Sequence, residues 1–157
     1  MKSLAEDLER FRRGAEVLAM VLTGAAGEEV DYSPEAGKWT IRQIMAHLAD
    51  AELVGAHRLR SVIAEENPTL TAYDQDAWTR NLDYGRRKPT QSLETFRRLR
   101  AENYELLKEL PESVFERTGS HTEDPPAVAL SSVRAMTTPS LSPSKLAPSA
   151  VGGNTLS

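Results

Sequence analysis

The stretch TIRQIMAHLADAELVGAHRLRSVIAEENP, residues 40–68, decides the fold of this chain. It opens with a T-x-x-Q capping box, in which Thr40 and Gln43 can each satisfy a backbone N–H that a helix N-terminus leaves unpaired. Trp39 and Ile44 flank the cap at the spacing of a hydrophobic staple, which fixes the angle at which the chain enters a helix. Together these signals predict that a helix begins directly after Thr40.

Apolar and small residues continue through the same stretch at helical spacing. A stripe with this three- and four-residue period is typical of an amphipathic helix that packs against other helices. Pro68 ends the pattern, because proline cannot donate a helical hydrogen bond and restricts the residue before it. We therefore predict a helix over residues 41–66, with a buried stripe at Ile44, Leu48, Ala51, Gly55, Leu59 and Val62.

Two more segments have the same period. The first predicted helix covers residues 3–23 and ends at Gly24 and Gly27. The third covers residues 93–110 and ends at Pro111. The stripe of the first helix comprises Leu4, Leu8, Phe11, Ala15, Leu18 and Leu22. The stripe of the third comprises Leu93, Phe96, Leu99, Asn103, Leu106 and Leu110.

A long connection, residues 67–91, joins the second and third helices. Residues 73–78 could form a short helical turn within it, and Gly85 and Pro89 are expected to break the chain again. Such a length suits a bundle with a crossover better than a simple hairpin. Because no segment shows the two-residue alternation of strands, the sequence predicts an all-α fold.

The composition changes abruptly after residue 124. From residue 125 to 157 there is no Asp or Glu, and Pro and Ser dominate. Residues 127–136 could make one short helix, but the prolines beyond it prevent a longer one. We therefore predict a helical domain over residues 1–124 and an atypical Pro/Ser-rich tail over 125–157. A shifted reading frame and a divergent natural tail both explain this change.

The composition of the chain excludes several functional classes. A net charge of −4 over 157 residues disfavours binding to a phosphate backbone. The chain has no cysteine, so a disulfide framework, a zinc knuckle and a cysteine nucleophile are all excluded. No stretch approaches the length of a membrane span, and the charged N-terminus lacks the apolar core of a signal peptide. We expect a cytoplasmic protein that binds neither nucleic acid nor membrane.

Four short motifs resemble the DinB-like (DinB/YfiT) superfamily when they are taken in order. The resemblance covers residues 3–124, and all of the motifs lie ahead of a Gly-Ser-His turn at 119–121. The motifs are GKWTI at 37–41, HLADAE at 47–52, YDQDAW at 73–78 and FRRLR at 96–100, followed by Leu110-Pro111.

This resemblance implies a four-helix bundle with a long crossover between helices two and three. It also implies one divalent metal, nickel or zinc, held by a histidine of helix two and an H-x-x-x-H pair of helix four. Here the pair is not recognisable, and the fourth helix is expected to be degenerate or replaced by the irregular tail. Members of the family resemble hydrolases or S-transferases that act on small molecules, some with a low-molecular-weight thiol.

His47 is the residue that matches the helix-two ligand. It lies three residues after Ile44 and one before Leu48, so its imidazole should point into the bundle. Asp50, three residues on, could accept a hydrogen bond from the imidazole and fix its tautomer. His47 could instead be a core histidine that is hydrogen-bonded to a neighbour. Asp50 could instead be a carboxylate that is solvated or that pairs with another residue of the helix.

The other two histidines are weaker candidates for the metal. His57 is ten residues after His47, about 15 Å along a helix, so the two cannot share an ion. It should belong, with Arg58, to a polar face. His121 could reach a site at the mouth of the bundle, or it could form part of a capping turn.

The remaining conspicuous residues have structural explanations. Trp78 should pack the crossover onto the bundle. Asp74 and Asp76 could be acid–base carboxylates, but capping of the short turn explains them better. The basic runs at 86–88 and 97–98 are predicted to be solvated surfaces.

Two functional hypotheses follow from the sequence. The first is a metal-dependent hydrolase or thiol-dependent S-transferase on a small molecule, with His47 as a ligand. The second is a non-catalytic helical bundle, or the product of a shifted frame, whose missing fourth helix is replaced by the tail or by a second copy in a homodimer. A DNA-binding domain is suggested only by the damage-inducible name of the family, and the acidic charge opposes it.

Overall fold

The computed structural model describes residues 3–25, 27–122 and 128–129. Four α-helices account for most of this part, and three very short strands pair with one another. The α-helices are α1 (Leu4–Gly24), α2 (Ile41–Ala64), α3 (Gln75–Asn81) and α4 (Pro89–Lys108). The strands are β1 (Thr69–Leu70), β2 (Thr118–His121) and β3 (Val128–Ala129). Three 3₁₀ turns lie at Gly27–Asp31, Tyr84–Arg86 and Glu112–Glu116. No helix of the described part is long and apolar enough to cross a membrane.

Reciprocal caps define where α1 and α2 begin. The N–H of Gln43 donates to Thr40 Oγ1 at 3.2 Å, and the N–H of Thr40 donates to Gln43 Oε1 at 3.0 Å. This confirms the predicted capping box. Ser3 and Glu6 form a second one at the start of α1. Each box satisfies two N–H groups that a helix start would otherwise leave unpaired.

The crossover ends before Pro89, because this proline starts a helix and does not break the chain as predicted. Proline was expected to break the chain there, but α4 begins at Pro89 itself, four residues before the predicted start. The first helical turn needs no N–H from proline, and the fixed φ of the ring suits it, so proline starts a helix as readily as it stops one.

Asp74 caps α3 through the N–H of Ala77 at 2.9 Å, which confirms its predicted capping role.

Helices α2 and α4 run in the same direction. Glu52 of α2 binds Arg100 of α4, and Arg60 further along α2 binds Asn103 further along α4. A parallel pair cannot be joined by a tight turn, and residues 65–88 provide the crossover that the sequence predicted. Helix α4 also packs against α1, so it lies between the other two long helices. A core beneath them comprises Phe11, Leu59, Val62, Leu70, Leu107 and Phe115.

The three strands are the part of the fold that the sequence did not predict. Strand β1 pairs in parallel with β2, with Leu70 opposite His121, and β2 pairs antiparallel with β3. Strands of two to four residues are too short to show an alternating pattern. His121 therefore lies in a strand and not in the predicted turn. Val128 and Ala129, expected within a short helix, form β3 instead.

The end of α2 is held by the segment that follows α4. Arg117 donates from Nε to the carbonyl of Val62 at 2.9 Å and from Nη2 to the carbonyl of Glu65 at 2.6 Å. These carbonyls have no partner within the last turn of a helix, so a distant guanidinium replaces a local C-cap. The fold is thus all-α with a small β annex. The predicted tail and the fate of a fourth long helix lie outside the described residues, apart from β3.

Gly119 is the position where strand pairing leaves no room for a side chain. A Cβ atom there would lie 2.9 Å from the carbonyl oxygen of Pro68 and 3.1 Å from Leu70 Cγ. Gly119→Ala should therefore lower the free energy of unfolding by about 1–3 kcal/mol, because a backbone oxygen must move. Urea denaturation followed by circular dichroism measures this change.

Gly55 is a matched control within α2. A Cβ atom there would meet nothing within 4 Å. Gly55→Ala should raise the free energy of unfolding by about 0.5–1 kcal/mol, since alanine loses less backbone entropy in a helix. Equal effects of the two alanines would contradict the close approach at Gly119.

Candidate functional site

His47 lies in the second turn of α2 and is almost fully buried, with 1% of its surface exposed. This agrees with the inward direction that its spacing predicted. The ring of Trp39, the residue before the helix cap, packs on the imidazole with 5.1 Å between centroids and a tilt of 56°. Trp39 is itself buried. The first turns of α2 and the ring of Trp39 thus enclose His47, the candidate ligand.

Asp50 lies one turn after His47 and has two partners from the crossover. Its Oδ2 accepts a hydrogen bond from the hydroxyl of Tyr84 at 2.8 Å and one from Arg87 Nη1 at 2.7 Å. The Arg87 guanidinium also lies over the Tyr84 ring, 5.6 Å from its centroid. Burial, with the bond to Asp50, raises the pKa of Tyr84 above its ordinary value, so the phenol stays protonated. Asp50 therefore fastens the crossover to α2, and its role beside a metal stays a prediction.

Arg42 extends this cluster to the connection between α1 and α2. It donates to both carboxylate oxygens of Asp31, at 2.6 and 2.9 Å, and to the carbonyl of Arg87 at 3.1 Å. The hydrogen bond from Arg42 lowers the pKa of the Asp31 carboxyl. Polar contacts thus link both connections to α2 on the side of Asp50. The basic run at 86–88, predicted as a solvated surface, contributes Arg87 to this cluster.

The crossover also carries an aromatic pair above this region. Tyr73 and Trp78 stack with 4.5 Å between ring centroids. Burial raises the pKa of Tyr73, so this phenol is also neutral near pH 7. The pair lies within the crossover and joins the residue before the cap of α3 to the helix itself.

A second polar cluster is centred on Glu52, five residues after His47. Arg100 of α4 donates to both Glu52 oxygens, from Nε at 3.0 Å and from Nη2 at 2.5 Å, and donates from Nη1 to the carbonyl of Phe11 in α1. Asn103 Nδ2 donates to Glu52 Oε1 at 3.0 Å and accepts from Arg60 Nη1 at 2.8 Å. The Arg100 guanidinium carbon lies 4.0 Å from the ring centroid of Phe11 and 4.6 Å from that of Phe96. One arginine therefore joins three long helices.

The predicted stripe of α4 included Phe96 and Asn103 but not Arg100, so the sequence missed the charged centre of this cluster. The residues that are buried follow Phe96 by four and seven positions, Arg100 and Asn103, while Leu99 and Leu106 are only half-buried. The signal was present in the spacing: Arg100 lies on the same face as Phe96. Arg97 and Arg98, predicted to be solvated, are exposed.

The residues described do not complete a metal centre. Residues 3–25, 27–122 and 128–129 contain no group of three or more His, Cys, Asp or Glu side chains that could hold an ion. His57 is exposed, and His121 lies in β2 beside Leu70. The residue after β1, Thr71, accepts a hydrogen bond through its carbonyl from Arg58, which lies about 16 Å along α2 from His47. Beyond residue 122 the sequence contains no His or Cys, and its only acids are Glu123 and Asp124.

The sequence of the chain matches a known protein family. A family model described as the DinB superfamily matches residues 10–138. The chain belongs to the DinB superfamily. This confirms the resemblance, and the match runs past residue 124, where we predicted the helical domain to end. That domain boundary stays a prediction.

Relatives with curated names share less than the full length. An Oceanobacillus iheyensis protein named "Putative metal-dependent hydrolase" is 37% identical over 97 residues, which is 61% of this chain and 55% of the relative. The protein of the same description in Bacillus subtilis, YfiT, is 29% identical over 102 residues, 65% of this chain and 57% of the relative. The chain thus spans about half the length of the curated relatives it matches.

A solved structure shares the fold. It is described as YfiT from Bacillus subtilis, "a probable metal-dependent hydrolase with an unusual four-helix bundle topology". The TM-score is 0.78 at 24% identity, over 87% of this chain and 79% of that one. This likeness confirms the predicted four-helix-bundle fold class of the DinB superfamily.

The Glu52 cluster makes a strong prediction about stability. Arg100→Ala would leave a buried carboxylate without its charged partner, which should cost about 3–5 kcal/mol of unfolding free energy. Arg98→Ala is the control, because its ion pair with Glu94 is exposed on the same helix and should be worth no more than about 1 kcal/mol. Urea denaturation of both variants gives the comparison.

The double variant Glu52→Leu/Arg100→Met tests the cause of that loss. It removes both charges and keeps the volume, so it should be less destabilised than Arg100→Ala alone. A double variant as unstable as the sum of its single changes would contradict a cost that arises from an unpaired charge.

The Asp50 cluster gives a smaller prediction. Tyr84→Phe removes a buried hydroxyl that donates to Asp50, and should cost about 1 kcal/mol of unfolding free energy. Tyr32→Phe is the matched control, because Tyr32 is 67% exposed and its hydroxyl can exchange one partner for water. Equal stability of the two variants would show that the bond to Asp50 does not hold the crossover.

Proposed function

We propose that the protein has the framework of a metal-dependent hydrolase that acts on a small molecule, with His47 as its metal-binding position. The observation that supports this most is the buried imidazole of His47 on α2, enclosed by Trp39 in a chain whose relatives carry that description. An imidazole between packed helices is the usual form of donor in bundle-core metal sites. The thiol-dependent S-transferase reaction, the choice of nickel or zinc and a cytoplasmic location stay predictions.

The donor set of this chain does not fit a three-histidine centre. His47 is buried and His57 is exposed, and the two carboxylates that follow His47, Asp50 and Glu52, are bound by Arg87 and Arg100. A carboxylate whose charge is neutralised by a guanidinium is a poor ligand unless that contact breaks. Donors from His121 or from a second copy of the chain would therefore have to complete the site.

The second candidate function is a non-catalytic helical bundle, and the arginine contacts favour it. They give Asp50 and Glu52 charged partners without an ion, so these two carboxylates need no metal to be paired. In this case His47 is a packing residue against Trp39. The homodimer, a small-molecule partner and the absence of nucleic-acid binding stay predictions under both candidates.

Metal content per chain separates the two candidates. The full chain is incubated with nickel or zinc, dialysed and measured by mass spectrometry of the metal, beside His47→Ala and His57→Ala. The hydrolase proposal expects close to one ion per chain, lost in His47→Ala and retained in His57→Ala, because His57 is exposed on the same helix. His121→Ala tells whether that residue supplies a further ligand.

The opposite outcome is equally informative. No metal in the wild-type chain, with native helical content by circular dichroism, would overturn the hydrolase and support the non-catalytic bundle. Metal that survives in His47→Ala would place the ion elsewhere and remove His47 from the proposal.

A further inference from the structure

A groove of about 720 Å³ runs between α1 and α4. Its walls include Gly14, Val17 and Leu18 from α1, and Phe96 and Arg100 from α4. Its volume is in the range of small-molecule sites, which are mostly apolar with a few polar groups. It contains neither His47 nor the Asp50 cluster, so it is separate from the candidate metal position.

The floor of the groove combines an apolar surface with a buried cation. Arg100 is 2% exposed and lies between the rings of Phe11 and Phe96. The absence of a side chain at Gly14 keeps the space over it open, because a Cβ atom there would lie 3.3 Å from Arg100 Nη1. The outer wall is also apolar, since Val17 is 58% exposed although it is a valine. An apolar body could therefore lie along α1 above Arg100.

The acidic and the basic side chains on the rim of the groove differ in how close their partners lie. The acids have short contacts: Glu6 accepts from the N–H of Ser3 at 2.8 Å, and Glu9 binds Arg12 at 2.7 Å. The arginines that line the groove have long ones: Arg10 lies 3.8 Å from Asp7, and Arg13 lies 3.7 Å from Glu16. Exposed pairs at such distances contribute little and exchange easily. The groove therefore offers two cations to a ligand and no carboxylate that lacks a close donor.

We propose that this groove binds a small amphipathic anion, a carboxylate or sulfonate on an aliphatic or aromatic body. Its apolar part lies against Gly14, Val17 and Phe96, and its acid group is bound by Arg10 and Arg13. The complementarity is chemical: an apolar wall lies beside two exposed arginines whose present partners are distant. This inference does not depend on the proposed metal site, so either can fail alone.

The test uses 1-anilinonaphthalene-8-sulfonate, a fluorescent amphipathic anion, with the full-length chain. Wild-type protein should show saturable binding of one probe per chain. The charge reversal Arg10→Glu/Arg13→Glu should weaken binding by about fivefold or more, because two cation contacts become repulsive. Arg97→Glu/Arg98→Glu is the matched control: it makes the same change in net charge at exposed positions of α4 that do not line the groove, and should change affinity less than twofold.

Competition and molar mass complete the experiment. Dodecanoate should displace the probe and dodecanol should not, since only the acid engages the arginines. Equal displacement by both would overturn the proposal, as would an equal effect of the two charge reversals. A chain that is dimeric by light scattering, and that becomes monomeric and gains probe binding on Val17→Asp, would show a second copy in the groove and would also overturn it.

Discussion

The bidentate contact between Glu52 and Arg100 is the constraint on which the described bundle depends. Both groups are buried, so each must find its partners within the protein, and Arg100 finds them on two other helices at once. A shift of α1 or α4 by one turn, about 5 Å, would leave a carboxylate or a guanidinium buried without a partner. Apolar contacts tolerate such sliding far better. We infer that this ion pair sets the axial register of the three long helices, whatever it contributes to net stability.

That register determines what surrounds His47. On an ideal helix Asp50 lies about 60° to one side of His47, while Glu52 lies about 140° to the other. Two arginines from different parts of the chain therefore approach α2 on two faces, Arg87 from the crossover and Arg100 from α4. His47 lies between these faces, against Trp39. The turns around the candidate ligand are thus held by ion pairs that form without a metal.

Local signals made most of the fold predictable, and distant contacts made the rest unpredictable. The cap at Thr40 and Gln43, the stop before Pro68 and the cap at Asp74 depend on residues within four positions, so the sequence alone shows them. A proline such as Pro89 can either start or end a helix, and the predicted break was wrong. The β1–β2 pairing joins residues about fifty positions apart, and the partners of Asp50 and Glu52 lie 34 to 51 positions away. No spacing rule identifies which arginine in a basic run will turn inward, so the family resemblance gave His47 and not its surroundings.

A shared fold and a shared site are therefore separable in this chain. The superfamily match and the likeness to YfiT concern how helices pack, and here packing depends on the caps, the apolar core and the Glu52–Arg100 contact. None of these needs a metal ligand, so a chain can lose ligands and keep the bundle. The reverse does not hold, because His47 can bind an ion only if α2 is positioned against its neighbours. The bundle thus depends on the residues that hold the helices together, while a metal site depends on donors that each have to be identified.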